Sequence, residues 1–270
     1  MTGTNPQDEP TPRPSDSYLQ GMIYLHRGQY EMAQHCFERA LAEKQKKVDP
    51  ASIQPILFHL GKVHACLGQK EKARSFYLEV LEIEKSSTGP PLAGQTLMNL
   101  GNLCREGGEV ERAMAYYLEV ASLFEASEDH VAIGTLYENL GLLKEDQGKD
   151  GEALILHKKA IDHHQKTGNE SELALCWGRL GRVFARGGED AHAETSFNNA
   201  CVHFEQLGNP AGEAAILRSL ADIYQGRRDY ERALHCTRRI LHMYRRFGLP
   251  QKDEDHERLD QLHALMKRPT

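Results

Sequence analysis

The sequence of 270 residues predicts an all-α fold built from repeated pairs of antiparallel helices. Two observations on small residues predict it: a glycine recurs every 40 residues, and a second glycine follows seven residues after each of these. A third observation is that apolar residues between the glycines recur at helical spacing. Each 40-residue unit is therefore expected to hold two helices joined by a short turn.

The first glycine series is expected in the middle of the first helix of each unit. Its members are Gly21, Gly61, Gly101, Gly141 and Gly181, with Ala221 at the sixth step. Glycine in a helix interior costs about 1 kcal/mol relative to alanine. We therefore expect a second helix to approach so closely that a Cβ atom at these positions would collide with it.

The second glycine series is expected at the turn, because glycine readily takes the left-handed conformation that ends a helix. It consists of Gly28, Gly68, Gly108, Gly148 and Gly188, with Arg228 at the last step. An alanine lies five residues later in every unit, and we expect it in the second helix at another point of close approach. These alanines are Ala33, Ala73, Ala113, Ala153, Ala193 and Ala233.

The pattern resembles the tetratricopeptide repeat, in which a large residue, Leu-Gly, an aromatic residue, Gly, Ala, a second aromatic residue and Ala follow at fixed offsets. The fifth unit matches closely through Trp177, Leu180, Gly181, Phe184, Gly188, Ala193, Phe197 and Ala200. The resemblance covers residues 15–250 and implies a right-handed α-solenoid of six antiparallel helix pairs. The 40-residue period is similar to the long repeats of kinesin light chain and of Pins-type adaptors.

The repeat boundaries predict the domain organisation. Residues 1–16 are polar and contain four prolines, so we expect a disordered leader and no secretory signal. Stacked repeats need a terminal helix over their last apolar face, and 251–270 is expected to form this capping helix and a tail. Between them we expect one continuous solenoid with units at 17–50, 51–90, 91–130, 131–170, 171–210 and 211–250.

Composition narrows the class of protein. The net charge of −6 argues against general nucleic-acid binding, and no apolar run is long enough for a membrane helix. Six dispersed cysteines form no CxxC pair and are typical of free thiols in a reducing compartment. We therefore expect a cytoplasmic protein.

Motifs for catalysis and metal binding are missing from the sequence. No two of the fourteen histidines stand four residues apart, as a helical zinc site would require. There is no Gly-x-Ser-x-Gly elbow and no phosphate-binding glycine loop. We therefore predict no catalytic residue, no metal site and no cofactor, in a protein that is not an enzyme.

The resemblance implies a concave groove, lined by the first helix of each pair, that binds a peptide or helical segment of a partner. The lining of the groove changes along its length, from apolar residues through asparagines to arginines. The asparagine amides can pair with a peptide main chain, and the arginines can hold acidic groups. Gly178 is expected to leave a notch in this wall. The candidate residues are Tyr18, Met22, Phe58, Lys62, Asn99, Asn102, Arg105, Glu138, Asn139, Arg179, Arg182, Arg186 and Arg218.

The leading hypothesis is an adaptor for a protein or peptide with acidic and apolar groups. Two other functions stay open: a regulatory sensor that binds a small signalling peptide, and a scaffold that self-assembles into homo-oligomers through its terminal repeats. Seven arginines between Arg227 and Arg246 indicate an ordinary helix surface, a face for an acidic protein partner, or a face for nucleic acid or lipid headgroups. Neither nucleic-acid binding nor membrane insertion is expected.

Overall fold

The computed structural model of the chain describes residues 16–45, 50–86, 92–124, 128–250 and 252–267. These ranges contain α-helices and no strand. The predicted leader lies outside them except for Asp16, which begins the first helix. The helices are α1 (Asp16–His26), α2 (Tyr30–Gln45), α3 (Pro50–Cys66), α4 (Lys70–Ser86), α5 (Ala93–Glu106), α6 (Val110–Phe124), α7 (His130–Asp146), α8 (Asp150–Thr167), α9 (Glu170–Arg186), α10 (Asp190–Gln206), α11 (Pro210–Gly226), α12 (Tyr230–Phe247) and α13 (Asp253–Met266).

Consecutive helices pack as repeated pairs, from α1 with α2 to α11 with α12, and α13 packs on α12; in the third pair, Tyr117 of α6 packs on Gly101 of α5. The predicted all-α fold of helix pairs with a capping helix is therefore confirmed. The chain forms two compact units, Met1–Val120 and Ala121–Thr270. That all six pairs continue as one solenoid stays a prediction.

In five of the six first helices, the glycine of the first series lies under a ring from the second helix of the same pair. A Cβ atom on Gly21 would lie 2.7 Å from Phe37 Cε1, and one on Gly181 would lie 2.6 Å from Phe197 Cδ1. Such distances are too short for carbon atoms, so the expected close approach is confirmed. The colliding group is the residue at the second aromatic place of the repeat.

The turn glycines have the expected left-handed backbone, with φ near +70° at Gly28 and Gly148. Arg228 takes the same conformation at φ 61° without being a glycine. Between repeats a left-handed residue also precedes a side-chain cap: Gly208 has φ 60°, and Asn209 after it accepts a hydrogen bond from the Gly212 backbone N–H at 2.9 Å. A left-handed residue followed by a capping Asn or Asp thus reverses the chain within a few residues.

The core of each unit lies between its paired helices. In the first unit, one hydrophobic cluster surrounds Phe37 and another surrounds Tyr77. In the second unit, a hydrophobic cluster extends from α8 to α13. Leu262 of α13 is completely buried in the second cluster. Burial of such a side chain contributes about 1.5–3 kcal/mol, which explains why the last pair needs its capping helix.

Candidate functional site

The first helix of each pair presents a polar face, which we call the first-helix surface: α1, α3 and α5 in the first unit, and α7, α9 and α11 in the second. In the first unit this surface contains a pocket of about 290 Å³ between α3 and α5. Three predicted residues, Lys62, Asn99 and Asn102, line it together. The remaining lining residues are Ala65, Cys66, Tyr77, Leu103 and Glu106.

The pocket combines an apolar floor with polar groups that are free to bind. Tyr77 and Leu103 are almost completely buried and supply the floor. The Tyr117 hydroxyl donates to Asn102 Oδ1 at 2.6 Å, which directs the amide NH₂ of Asn102 away from that bond. Asn99 has no hydrogen-bond partner within the described ranges. The pocket therefore presents the whole amide of Asn99 and the NH₂ group of Asn102 for binding.

The charged groups at this pocket are Lys62 and Glu106, both exposed. The Lys62 ammonium lies 6.0 Å from the centre of the Phe58 ring, a cation–π contact that leaves its protons facing solvent. Arg105 is half-buried, with its guanidinium 3.9 Å from the Glu106 carboxylate. The pocket thus offers one ammonium and one carboxylate on opposite helices.

The predicted apolar end of the groove is mostly core. Phe58 is only 5% exposed, and Met22 is half-buried against the cluster around Phe37. The Tyr18 hydroxyl lies 3.2 Å from His59 Nδ1, and burial raises the pKa of Tyr18. These side chains therefore stabilise the first two helix pairs and leave little open apolar surface for a ligand.

In the second unit most of the predicted arginine band is paired internally. Arg186 lies 2.8 Å from both Glu145 and Asp150, and the guanidinium of Arg179 contacts the carboxylate of Glu138. These pairs join α9 to the preceding helix pair. Of the predicted arginines, Arg182 is exposed and is the one that has no partner among the described residues.

The last predicted arginine holds the capping helix. Arg218 of α11 lies 2.9 Å from Asp255 of α13, and the Tyr244 hydroxyl donates to the same carboxylate at 2.9 Å. Asp255 is only 1% exposed. Sequence reasoning missed this pairing because it treated each helix face alone, although the acidic partners lie in neighbouring repeats.

Gly178, Glu138 and Asn139 of the second unit are less accessible than expected. The expected notch at Gly178 is wrong, because a Cβ atom there would lie 2.9 Å from Ile216 Cδ1 and the Ile216 side chain fills the space. Glu138 and Asn139 are buried, at 5% and 8% exposure. A ligand could therefore reach little of either side chain.

The arginine-rich helix α12 is partly neutralised by its neighbour α10. Arg232 of α12 lies 3.1 Å from Glu194, and Arg227, at the C-terminal end of α11, lies 3.0 Å from Asp190 and 2.8 Å from Glu194. These contacts support the interpretation of α12 as an ordinary helix surface.

Paired helices with an open polar pocket define a helical-repeat scaffold. The family model of the tetratricopeptide repeat matches residues 15–86 and 92–166, more than half of the chain. The chain therefore belongs to the tetratricopeptide repeat family, whose fold is typically a non-catalytic scaffold for protein interaction. No curated protein matches the sequence.

Solved structures of several proteins share the fold. BtubC (BKLC) from P. vanneervenii is 22% identical with a TM-score of 0.58, over 70% of this chain and 78% of that one. A putative kinesin light chain from Podosopora anserina is 18% identical with a TM-score of 0.56, over 71% and 94%. The Rap conjugation gene regulator of plasmid pLS20, in complex with the Phr* peptide, is 16% identical with a TM-score of 0.68, over 93% and 73%. At these identities the likeness shows the fold alone.

Two physical features bear on the environment of the chain. Among the described helices, none combines the length and the apolar character that crossing a membrane requires. All six cysteines are free thiols, four of them buried, with burial raising the pKa of Cys201 to about 12.

Proposed function

We propose that the chain is an adaptor that binds an extended peptide segment of a partner protein on the first-helix surface of its first unit. The observation that carries the proposal is the pocket between α3 and α5, where the Asn99 amide has no hydrogen-bond partner within the described ranges and the Asn102 amide makes a single internal hydrogen bond, through its Oδ1 to Tyr117.

The pocket's groups suit a peptide main chain. Asn99 and Asn102 stand one turn apart on α5, and each side-chain amide can both donate to a carbonyl and accept from an N–H group. A peptide repeats those two groups at every residue, so the amides give affinity with little demand on sequence. The side chains of the peptide then decide specificity.

Two lining features indicate which peptide side chains fit. The Lys62 ammonium favours a carboxylate, and the floor of Tyr77 and Leu103 favours an aliphatic group. The volume of about 290 Å³ is at the small end of ligand pockets. We infer a partner segment of a few residues that combines acidic and apolar side chains.

In the second unit, Arg182 is the predicted arginine that stays available for an acidic group. Arg179, Arg186 and Arg218 would each have to exchange an internal carboxylate for one from a ligand, so we assign them to stabilisation. The free thiols favour a reducing compartment, and we propose the cytoplasm.

The same pocket would serve the alternative of a sensor for a small signalling peptide, and the structural relative from plasmid pLS20 is itself a complex with a peptide. The two functions differ in the ligand: an adaptor binds its motif equally well inside a folded partner, whereas a sensor prefers a free peptide with its own termini. Self-assembly through the terminal repeats is a third function, and light scattering at several concentrations separates it from both.

The test is selection of binders from a random peptide library displayed on phage, followed by calorimetric titration of the best peptide into the full chain. We expect the double change Asn99→Ala and Asn102→Ala to weaken binding about tenfold, since each lost hydrogen bond is worth about 0.5–1.5 kcal/mol. Lys62→Glu should weaken the binding of acidic peptides specifically.

Two matched controls use exposed positions on second helices. Asn198→Ala on α10 and Lys72→Glu on α4 change the same residue types away from the pocket and should bind like the wild type. Selected peptides whose affinity is the same for the pocket variants and the controls would exclude this pocket as the site. Selection of no peptide at all would contradict the proposed function.

A further inference from the structure

The core of the second unit contains three side chains with metal-ligating atoms in one place. Glu138 comes from α7, His164 from α8 and Cys176 from α9, and one carboxylate oxygen, ring nitrogen and sulfur lie within 4.8 Å of one another. Their exposures are 5%, 0% and 0%. Buried polar atoms normally have a hydrogen-bond partner, so the surroundings of each atom matter.

His164 is the member without a partner. Neither of its ring nitrogens makes a hydrogen bond within the described structure. The nearest carboxylate oxygen, Glu138 Oε2, lies 4.0 Å from Nε2, which is too long for a hydrogen bond. A buried imidazole with two unsatisfied nitrogens therefore points to a ligand that completes the site.

Packing alone does not explain a histidine at this position. The residues 40 and 80 positions further on, Phe204 and Tyr244, are buried at the equivalent place in the next two repeats. Phe204 has no polar atom, so the repeat accepts a purely apolar ring at this place. The ring of His164 has its own room because Gly134 lacks a side chain, and a Cβ atom there would lie 2.7 Å from His164 Cε1.

We propose that Glu138, His164 and Cys176 bind a divalent transition-metal ion. Zinc suits this mixture of oxygen, nitrogen and sulfur ligands, which surround it at about 2.0–2.3 Å. Ligand atoms around a tetrahedral zinc ion lie about 3–4 Å apart, so small side-chain rotations close the observed spacing. The fourth position is open to water or another group.

Arg179 supports this arrangement instead of competing with it. Its guanidinium contacts Glu138 Oε1, whereas Oε2 of the same carboxylate faces His164. The arginine therefore holds the carboxylate from the side opposite the proposed ion, as groups around metal ligands commonly do. Because the thiolate is the form of cysteine that binds zinc, binding of the ion at Cys176 is coupled to loss of the thiol proton.

The proposed ion would join α7, α8 and α9, and thus the fourth helix pair to the fifth. Its role is structural and independent of the peptide pocket in the first unit. No local sequence spacing indicates the site, because each ligand comes from a different helix.

The first experiment titrates cobalt(II) into the full chain, made without a polyhistidine tag and first treated with a chelator. We expect one equivalent to bind, with a thiolate-to-cobalt charge-transfer absorption in the near ultraviolet and a higher Tm. Zinc should then displace the cobalt. Failure of the wild type to bind an equivalent of cobalt or zinc at micromolar concentration would overturn the proposal.

Two variants and two controls locate the site. His164→Phe copies the residue of the next repeat and should keep the core filled, and Cys176→Ala removes the sulfur. Each should weaken cobalt binding more than about tenfold, at least the effect of losing an outer partner of a metal site. Circular dichroism checks that each variant is folded, and Cys176→Ala carries the test if His164→Phe does not fold.

The controls remove a similar group nearby. Cys201→Ala removes another buried thiol, and His163→Ala removes the neighbouring histidine, whose Nδ1 lies 3.2 Å from His130 Nδ1. Both controls should bind cobalt like the wild type. Binding that His163→Ala abolishes and His164→Phe leaves intact would place the ion at the histidine pair and overturn the proposal.

Discussion

The ring of Tyr117 lies against the backbone of Gly101, where a Cβ atom would come within 2.4 Å of Tyr117 Cε1. The hydroxyl of the same ring donates to Asn102 Oδ1 at 2.6 Å. One aromatic side chain therefore packs the third helix pair and also orients an amide of the pocket. Repeat packing and the candidate site are thus physically connected in the first unit.

Gly101→Ala should destabilise the protein by about 1–3 kcal/mol, the usual cost of forcing an extra carbon into a packed core. Equilibrium unfolding in urea measures the change. Gly151→Ala is the control, because nothing lies within 4 Å of a Cβ atom there, and its stability should be equal to or slightly above that of the wild type. Equal effects of the two changes would show that the Tyr117 ring moves aside without lowering the free energy of unfolding.

Arg228→Gly should stabilise the protein by about 1 kcal/mol, since a side chain in the left-handed conformation costs about 1–2 kcal/mol. Arg228 is exposed and stands where five other repeats have glycine. Thermal unfolding measures the gain as a higher Tm. Arg228→Ala is the control: it removes the charge but keeps the Cβ atom, and a gain equal to that of glycine would attribute the effect to charge.

Glu145→Gln should make stability less dependent on pH in the acid range. Burial alone would raise the pKa of Glu145, but hydrogen bonds from His157 and Arg186 outweigh it and hold the pKa below its ordinary value. A lowered carboxyl pKa stabilises the folded chain above the unfolded pKa of about 4.5, and this contribution is lost as pH falls through the folded pKa. Urea unfolding from pH 6 to pH 3 should show a shallower loss for the variant, and parallel curves would contradict the prediction.

Asp255→Ala should release the capping helix α13, because it leaves Arg218 unpaired and removes the acceptor of the Tyr244 hydroxyl. Breaking such a buried pair costs about 3–5 kcal/mol. Hydrogen exchange should accelerate in α13 before it does so in α9. Asp260→Ala, on an exposed position of the same helix, should leave exchange unchanged, and acceleration by both variants would attribute the effect to helix propensity.

The fold could be predicted from the sequence because small residues define the repeat. Gly21 and its equivalents indicate where a ring packs, and Gly28 and its equivalents indicate a left-handed turn. Both are local requirements on the backbone that recur every 40 residues. The family and its helix pairs follow from them. The filling of the space beside Gly178 by Ile216 could not be predicted, because it depends on how neighbouring pairs pack.

The candidate site was predicted in part. Lys62, Asn99 and Asn102 share a pocket because their offsets in the repeat place them on facing helices. The pairing of Arg186 with Glu145 and of Arg218 with Asp255 was missed, since charge on a single helix face does not show which residue of another repeat comes within hydrogen-bonding distance. Cys66, which lines the same pocket, gave no signal, because a single exposed cysteine has no distinctive spacing.

The ion pairs of the second unit have a consequence for the order of its repeats. The glycines that recur every 40 residues pack the two helices within one pair, as Gly101 does against Tyr117, so they do not select the next pair. The polar contacts are individual: α9 meets its carboxylates on α7 and α8, and α11 meets its carboxylate on α13. Exchanging or deleting a helix pair would leave half-buried charges without their partners. The arginines therefore make each repeat specific for its own neighbour.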